Sequence, residues 1–180
     1  MKITLNMTIE LPENVRCEIS GGRVKIAGAN GEIQKFFVLG KLKLKQENGK
    51  LILEAQKATR REKTMAGTIN AIIKNMIKGV TGGFVYKLQI CSSHFPMTVK
   101  AEGNEIIIKN FLGERTLRKS KILPGVNVKV QGDIISVTGS NNESIGQTCR
   151  NIELSTIKRG KDIRVFQDGI YLIERDGVSI

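Results

Sequence analysis

The only histidine of the chain, His94, lies three residues after Cys91, and this pair is the first candidate for chemistry. A cysteine thiolate activated by a neighbouring imidazole is a common enzyme nucleophile, so a hydrolase that uses Cys91 and His94 is one hypothesis. The pair lies at the end of an apolar run, however, and His94-Phe95-Pro96 has the composition of a turn. The carboxylates are scattered among lysines, as on a solvated face. We expect that the chain is not an enzyme and keep the hydrolase as an alternative.

The cysteines do not follow a metal-binding or disulfide pattern. Cys17, Cys91 and Cys149 are an odd number, lie far apart and include no C-x-x-C pair. Zinc sites usually contain closely spaced ligand pairs, and a disulfide framework needs an even set. We expect three small buried thiols in a reducing compartment, with no metal and no cofactor.

The glycine-rich segment Gly79–Gly83 follows a helical pattern instead of preceding one. A phosphate-binding loop comes before a helix, because the first N–H groups of that helix hold the anion. A second pair, Gly28 and Gly31, lies between two strand-like segments. We interpret both segments as turns and caps, and expect no small-molecule substrate.

The net charge gives the strongest indication of a partner. Lysine and arginine number 29 against 17 acidic residues, which gives a net charge of +12 and a pI of about 9.8. Such a chain favours a polyanion, because its cations release counterions from phosphates. Aromatic residues make up 4% of the chain, with no tryptophan. This composition disfavours base-stacking platforms and favours folded or double-stranded RNA.

An anionic membrane is the rival polyanion. It would require an amphipathic basic helix or a lipidation signal. The start Met1-Lys2-Ile3 is not a myristoylation motif, and no cysteine lies near Ile180. We expect no membrane association.

The basic residues concentrate in three clusters, two of them in the second half of the chain. The clusters are Arg115, Arg118, Lys119 and Lys121; Lys158, Arg159, Lys161 and Arg164; and Arg60, Arg61 and Lys63. A solvated surface explains any one of them. The total charge argues against that explanation for all three, and we expect the second half to carry most of the anion contact.

Two sequence patterns recur at a long period. Val24–Ile26 followed by Gly31-Glu32 reappears as Ile106–Ile108 followed by Gly113-Glu114, at an offset of 106 − 24 = 82. A second set recurs at 148 − 68 = 80: Met65, Thr68, Ile72, Ile77 and Lys78 match Ile145, Thr148, Ile152, Ile157 and Lys158. A period of this length fits a small domain used twice. With a boundary at the Gly82-Gly83 pair, we expect domains at residues 1–82 and 83–180.

The first half combines short strands with one helix. The strand predictions are Val15–Ser20, Val24–Ala27, Ile33–Val38, Lys41–Lys45 and Leu51–Ala55, divided by turn residues. Thr59 and Glu62 have the spacing of a capping box, and an apolar stripe at helical spacing follows. This helix should end at Gly79.

The second half repeats the plan. The predicted strands are Phe84–Cys91, Thr98–Ala101, Ile106–Lys109, Glu114–Leu117, Asn127–Val130 and Ile134–Val137. A helix should follow from about Glu143 to Lys158, and then a last strand, Val165–Ile173, interrupted at Gln167–Gly169. The fold class is therefore α+β, a tandem duplication of a small domain of antiparallel strands packed with one helix.

Several strings of the chain resemble one family from end to end. They are Ile9–Val15, Asn75–Lys87, His94–Pro96, Asn110–Glu114 and Lys161–Tyr171. The second of these is the most specific. On these strings the chain resembles large-subunit ribosomal protein six, called L-nine in eukaryotes, of the archaeal and eukaryotic type. It departs at Gln56 and Lys57, where eukaryotic members usually carry a Trp-Trp pair.

The resemblance implies a structural constituent of the large ribosomal subunit. Members bind large-subunit ribosomal RNA, mainly through the second domain, near the sarcin-ricin loop and the stalk base, where translation factors dock. The implied partners are this RNA and neighbouring ribosomal proteins, including those of the stalk base. The implied location is the cytoplasmic ribosome, with assembly in the nucleolus if the source is eukaryotic.

We expect the RNA contacts in the two basic clusters of the second domain. Their cations should hold phosphates and sugar hydroxyls, and Gly113 and Gly169 should permit turns that bring the backbone close to RNA. A free-standing regulatory RNA-binding protein is the alternative function.

Overall fold

The structure is a computed structural model that describes residues 3–47 and 49–180. The chain divides into two compact units, Met1–Gly83 and Phe84–Ile180. Each unit has its own cluster of buried apolar residues. Among the described residues, no helix is both long enough and apolar enough to cross a bilayer.

The described part of the first unit contains six strands and one helix. They are β1 (Ile3–Glu10), β2 (Arg16–Ser20), β3 (Arg23–Gly28), β4 (Gly31–Phe36), β5 (Lys43–Glu47), β6 (Lys50–Ala58) and α1 (Arg60–Thr81). The strands form two antiparallel sheets, ordered β1-β6-β5 and β2-β3-β4. Period-two alternation buries one face of each: in β3, Val24 and Ile26 are fully buried while Arg23 is exposed.

Helix α1 covers the core of the first unit with its apolar stripe, which consists of Ala66, Ile69, Ile73, Met76 and Val80. At its start, the Glu62 carboxylate accepts a hydrogen bond from the backbone N–H of Thr59 at 2.8 Å. At its end, the turn between β3 and β4 supplies the cap. The Asn30 backbone N–H donates to the Val80 carbonyl, and Asn30 Nδ2 donates to the Thr81 carbonyl, both at 2.9 Å.

The second unit contains eight strands and one α-helix. They are β7 (Phe84–Cys91), β8 (Thr98–Glu102), β9 (Glu105–Lys109), β10 (Arg118–Lys121), β11 (Val126–Gln131), β12 (Ile134–Gly139), α2 (Asn142–Ser155), β13 (Gly169–Arg175) and β14 (Val178–Ser179). A 3-10 turn, Phe111–Gly113, follows β9. The sheets are ordered β10-β9-β8 and β11-β12-β7-β13-β14.

The two units share one topology, which confirms the α+β tandem duplication. The order β1-β6-β5 corresponds to β7-β12-β11, and β2-β3-β4 corresponds to β8-β9-β10. Each helix follows the sixth strand of its unit. Only β13 and β14 lack a counterpart in the described part of the first unit, and β13 pairs with the free edge of β7. The second unit is therefore the repeat plus a C-terminal extension.

The predicted strands Ile33–Val38 and Lys41–Lys45 are each displaced by two residues from β4 and β5, and three further strands differ more. Strand β1 is missing from the prediction, although Leu5, Met7 and Ile9 alternate along it. The strand predicted at Glu114–Leu117 is wrong, since these residues form a loop and β10 begins at Arg118. The last strand begins at Gly169 and not at Val165.

The loop before β10 explains the second of these errors. In the first unit two residues, 29 and 30, connect β3 to β4, whereas eight residues, 110–117, connect β9 to β10. Asn110 and Leu112 have φ of 59° and 49° and direct the chain through the 3-10 turn. Gly113-Glu114 therefore lies in this longer loop, while Gly31-Glu32 starts a strand.

The helices also shift slightly. Helix α1 extends two residues beyond the predicted end at Gly79, and α2 ends at Ser155, three residues before Lys158. The two helices match best at an offset of 148 − 69 = 79 residues instead of the predicted 80. At this offset the buried Ala66, Ile69 and Ile73 of α1 correspond to the buried Ile145, Thr148 and Ile152 of α2. With an offset of 80, the exposed Thr68 would match the buried Thr148.

Candidate nucleic-acid interface

A groove on the second unit brings two of the three basic clusters together. It is lined by the loop after β9, by β10 and by the end of α2, through Glu114, Arg118, Lys119, Leu154, Ser155, Ile157 and Arg159. Lys119 and Arg159 are 159 − 119 = 40 positions apart. They line the same groove because β10 packs against α2.

Arg118 is the central hydrogen-bond donor of this groove. Its Nε and Nη2 donate to the two Glu114 carboxylate oxygens at 2.8 and 2.7 Å. Its Nη1 donates to the carbonyls of Ser155 and Ile157 at 2.9 and 3.1 Å, and its guanidinium lies 4.3 Å from the Phe111 ring centroid. These hydrogen bonds use four of the five N–H donors of an arginine. Arg118 is thus placed to tie the loop to the end of α2 and has little left for a phosphate.

Glu114 connects the two clusters electrostatically. The hydrogen bonds from Arg118 lower the pKa of the Glu114 carboxyl, and the positive charge of Lys161 acts in the same direction. This carboxylate is therefore held ionised between cations of both clusters.

The remaining cations of the first cluster lie on the surface. Lys119 and Lys121 point away from the core on either side of the buried Ser120, as alternation along β10 requires. Lys119 Nζ lies 3.3 Å from a Glu105 carboxylate oxygen, but its side chain remains 57% exposed. Arg115 is exposed in the loop before β10. These three side chains can reach a polyanion.

The second cluster lies on residues 156–168, the connection from α2 to β13. Lys158 is half-buried and donates to the Phe166 carbonyl and, at 3.1 Å, to the Tyr171 hydroxyl. Lys161 Nζ lies 4.4 Å from the Phe166 ring centroid, and Arg164 is paired with Asp162 at 3.0 Å. The Arg164 side chain is nonetheless 88% exposed.

This connection is held by a buried carboxylate, Asp168. Its side chain is 2% exposed and accepts the backbone N–H groups of Ser93 and His94 at 2.7 and 2.9 Å. It also contacts His94 Nδ1 at 2.6 Å and the Ser93 hydroxyl at 3.2 Å. Burial alone would raise the pKa of Asp168, but the hydrogen bonds from His94 and Ser93 outweigh it and hold that pKa well below its usual range.

Ser93, His94 and Asp168 have the residue types of a catalytic triad but not its geometry. In a triad the serine and the acid contact opposite nitrogens of the imidazole. Here the Ser93 hydroxyl and the Asp168 carboxylate both contact Nδ1, at 3.1 and 2.6 Å. The His94 ring stacks on Phe166 with centroids 4.8 Å apart. The arrangement orients a loop and does not activate a nucleophile.

The two expected glycines have different environments. Gly113 has a φ of 76° at the exposed end of the 3-10 turn, a conformation that favours glycine. Gly169 is buried at the first residue of β13, and a Cβ there would lie 3.0 Å from the Tyr171 hydroxyl. Gly169 thus makes room for a side chain, and its position does not fit the expected exposed turn.

Sequence reasoning did not identify the residues that hold this surface in place. Asp168 contacts His94 across 74 positions, and Arg118 contacts Ser155 across 37. The Asp-Gly pair signals a turn, but no local pattern identifies partners so distant. Asparagine is a residue type that favours a positive φ, as at Asn110, but the positive φ of Leu112 has no sequence signal.

Net charge does not by itself select the second unit. Residues 1–83 carry 15 basic and 7 acidic residues, or 15 − 7 = +8, and residues 84–180 carry 14 − 10 = +4. The expectation that the second half makes most of the anion contact therefore rests on the placement of its cations. The groove supplies that placement.

The cysteines occupy three separate positions. Cys17 and Cys149 are buried and Cys91 is partly buried, and all three are free thiols. Burial raises the pKa of Cys149 to about 12 and, with the nearby charge of Glu18, raises that of Cys17. Within residues 3–47 and 49–180, no three His, Cys, Asp or Glu side chains cluster as metal ligands would.

A family model described as Ribosomal protein L6 matches residues 11–83 and 95–169, one segment in each unit. The chain belongs to the ribosomal protein L6 family. The double match agrees with the repeated topology, and the second segment includes both clusters of the groove.

Curated members of the L6 family resemble the chain over nearly its full length. It is 45% identical over 172 residues to the large ribosomal subunit protein uL6 of Aeropyrum pernix, covering 95% of this chain and 94% of the relative. It is 43% identical over 169 residues to the protein of the same name from Methanococcus vannielii, covering 94% and 93%. A third relative, from Methanobrevibacter smithii, is 43% identical over 168 residues. The resemblance to the archaeal and eukaryotic type is confirmed.

L6 family membership also decides between enzyme and non-enzyme. The relatives are named as ribosomal subunit proteins and not as enzymes, which confirms that the chain is not an enzyme. The structure agrees with that conclusion, since the Ser93 hydroxyl and the Asp168 carboxylate both contact the same nitrogen of His94 and hold the loop in place.

Proposed function

We propose that the chain is a structural constituent of the large ribosomal subunit that binds large-subunit ribosomal RNA through its second unit. The relatives that the chain matches over almost their full length are named as large-subunit proteins. The single structural observation that carries the RNA-binding part is the groove where the cluster on β10 meets the cluster after α2. Its location is the ribosome in the cytoplasm.

The chemistry of the groove favours folded RNA. Six cations of the two clusters are exposed and can contact phosphates and sugar hydroxyls, and two of them, Lys119 and Arg159, line the groove itself. The six are Arg115, Lys119, Lys121, Arg159, Lys161 and Arg164. Two aromatic rings nearby already have partners, because Phe111 is buried under Arg118 and Phe166 is stacked on His94, while Phe95 beside Gly113 is 49% exposed. Because exposed cations far outnumber open rings, recognition rests mainly on backbone position and shape.

We further propose that the RNA segment lies near the sarcin-ricin loop and the stalk base, with stalk-base proteins as neighbours. Family resemblance supports this position, which would place the chain beside the docking region of translation factors. Hydroxyl-radical footprinting of large subunits with and without the protein tests it. Protection confined to other helices of the RNA would contradict the position.

Sedimentation tests the ribosomal assignment. A tagged chain expressed in its source cells should co-migrate with large subunits in a sucrose gradient, also in moderately high salt. A free-standing regulatory protein would instead remain near the top of the gradient. That result would overturn the assignment while leaving RNA binding intact.

A charge-reversal pair tests the RNA surface. We expect Lys119→Glu with Lys121→Glu to weaken binding to a large-subunit RNA transcript and to flatten its salt dependence, by about 0.7–0.9 in log–log slope per lost phosphate contact. Lys43→Glu with Lys45→Glu is the matched control: two exposed lysines on β5, where Lys45 pairs with Glu54 at 3.2 Å much as Lys119 pairs with Glu105. An unchanged slope in the first variant, or equal flattening in both, would refute the surface.

A further inference from the structure

Asp168 is an anion buried at the end of one of the two cationic segments of the second unit. Its carboxylate receives two backbone N–H groups, an imidazole nitrogen and a hydroxyl, all from Ser93 and His94. A buried carboxylate is tolerated only when its hydrogen bonds replace water, and here they do. The result is a fixed link between the residues after β7 and the residue before β13.

The same link fixes the cationic loop through Phe166. The Phe166 ring stacks on His94, Lys161 lies over the Phe166 ring, and the Phe166 carbonyl accepts from Lys158. Phe166 is half-buried, whereas the neighbouring Ile163 and Val165 are 68% and 61% exposed. Lys158 and the Phe166 ring thus make the inward contacts, while Lys161, Arg164 and the two aliphatic side chains are exposed.

We propose that Asp168, together with His94, is a positioning residue that holds residues 158–166 in the conformation that binds RNA. The proposal rests on the function proposed above, since it assigns the RNA contact to this loop. Asp168 itself does not touch RNA, because its side chain is buried. It acts through His94 and Phe166 on Lys158, Lys161 and their neighbours.

The sign of the expected effect separates positioning from simple electrostatics. Replacing Asp168 by asparagine removes a negative charge from a surface that binds a polyanion, so charge alone predicts tighter binding. Positioning predicts weaker binding, because an asparagine cannot accept all four hydrogen bonds. If the competent loop conformation falls to about one tenth of the population, the affinity falls about tenfold.

The salt dependence should stay constant in this variant. The cations of the loop are all present and still contact phosphates once the loop has ordered on the RNA. The log–log slope against salt reports those contacts and should not change. An affinity loss at constant slope is the signature of lost positioning, whereas removal of a contacting lysine flattens the slope.

The experiment compares the full chain with Asp168→Asn, His94→Ala and the control Asp133→Asn. Asp133 is an exposed acid in the turn between β11 and β12, so its variant removes the same charge from the same unit away from the groove. Affinity for a large-subunit RNA transcript is measured over a salt series, at a temperature where all variants are folded. Amide hydrogen exchange of residues 158–167 is measured without RNA.

We expect Asp168→Asn and His94→Ala to bind about tenfold more weakly at an unchanged slope, with faster exchange in the loop and unchanged exchange in β7 and β12. Equal or tighter binding by both variants would overturn the proposal, and so would unchanged loop exchange. If Asp168→Asn does not fold, His94→Ala decides, since its ring is partly exposed. Failure of the unmodified chain to bind the transcript would instead refute the proposed function.

Discussion

The two units hold the last carbonyls of their helices in different ways. In the first unit the tight turn between β3 and β4 reaches the end of α1, and Asn30 donates to Val80 and Thr81. In the second unit that turn is an eight-residue loop, and the Arg118 guanidinium donates to the carbonyl of Ser155, the last residue of α2, and to that of Ile157 just beyond it. The last carbonyls of a helix need hydrogen-bond donors from outside the helix, and the two units supply those donors from different chemical groups.

Strand register shows how the second solution arose within the repeat. Ile26 pairs with Ile33 in the first unit, and its counterpart Ile108 pairs with Arg118 in the second. Cross-strand partners share a face, so Arg118 occupies the place of a buried isoleucine. The longer loop supplies Glu114 to neutralise it. The difference teaches that much of the proposed RNA surface lies in parts the repeat does not share, the long loop and the C-terminal extension, although Lys119 and Lys121 lie on β10, the counterpart of β4.

The largest expected effects test whether the cores are equivalent. Ile26→Ala and Ile108→Ala each remove a fully buried side chain at matching positions of the repeat. We expect each to lower the free energy of unfolding of its own unit by about 3–4 kcal/mol. Amide hydrogen exchange, resolved separately for the two cores, measures this. A variant that destabilised only the other unit would break the comparison.

The helix caps should differ in strength. Arg118→Ala removes four hydrogen bonds and a ring contact, and we expect a loss of about 2–3 kcal/mol in the second unit. Asn30→Ala removes one exposed side-chain hydrogen bond and should cost the first unit about 1 kcal/mol. Both losses of stability can be measured by urea unfolding, monitored by amide hydrogen exchange resolved separately for the two units.

Arg118→Lys is the control for charge at the cap. A lysine keeps the positive charge but cannot form the fork to Glu114 while it also donates to two carbonyls. We expect it to recover less than half of the loss. Full recovery would mean that charge at the helix end, and not the arginine geometry, accounts for the cap.

Acid should affect the second unit more than the first. Among the described carboxyls, the pKa is lowered for Glu114, Asp162 and Asp168 in the second unit and for Glu62 in the first. A carboxyl with a lowered folded pKa stabilises the fold above its unfolded pKa of about 4. That stability is lost as the pH falls through the folded pKa.

Tyrosine fluorescence can follow this loss, because both tyrosines, Tyr86 and Tyr171, lie in the second unit. We expect the urea midpoint of that signal to fall between about pH 4 and 2. Asp168→Asn should flatten the fall, since it removes the group with the largest shift. If the urea midpoint falls with pH in the same way in the unmodified chain and in the variant, Asp168 is not the source of the acid sensitivity.

The smallest effect concerns the three thiols, of which Cys17 lies in the first core and Cys149 in the second. We expect iodoacetamide to modify Cys91 before Cys17 and Cys149, because burial restricts access to the latter two and raises their pKa. Mass spectrometry of a time course gives the order. Modification of Cys91 at the rate of an activated thiolate would revive the hydrolase alternative.

Most of the fold could be predicted from the sequence, because periodicity is a local signal. The alternation in Val24–Ile26 and the capping pair Thr59 and Glu62 identify a strand and a helix start directly. Strand β1 is missing from the prediction despite its local alternation, whereas the wrong strand before β10 falls where a tertiary contact overrides local pattern. Residues 114–117 have the pattern of a strand but form a loop. Strand β10 begins at the next residue, Arg118, whose side chain is hydrogen-bonded to the end of α2.

The candidate site could be predicted only as a list of cations. Sequence shows that Lys119 and Arg159 are basic, but not that they line one groove, since strand pairing and helix packing bring them together. It also cannot distinguish Arg118, which is occupied by Glu114 and α2, from Arg115, which is exposed. Buried partners such as Asp168 lack a local signal because their contacts cross 74 positions.

The most direct test of the account compares two charge-matched triple variants of the full chain. One changes Arg159, Lys161 and Arg164 to glutamine in the extension, and the other changes Arg60, Arg61 and Lys63 at the start of α1. The account predicts that the first lowers the salt slope of binding to a large-subunit RNA transcript by about 0.7–0.9 per lost contact. It predicts no change in slope for the second, although the first unit has the larger net charge. Equal flattening by both variants, or greater flattening by the second, would contradict it.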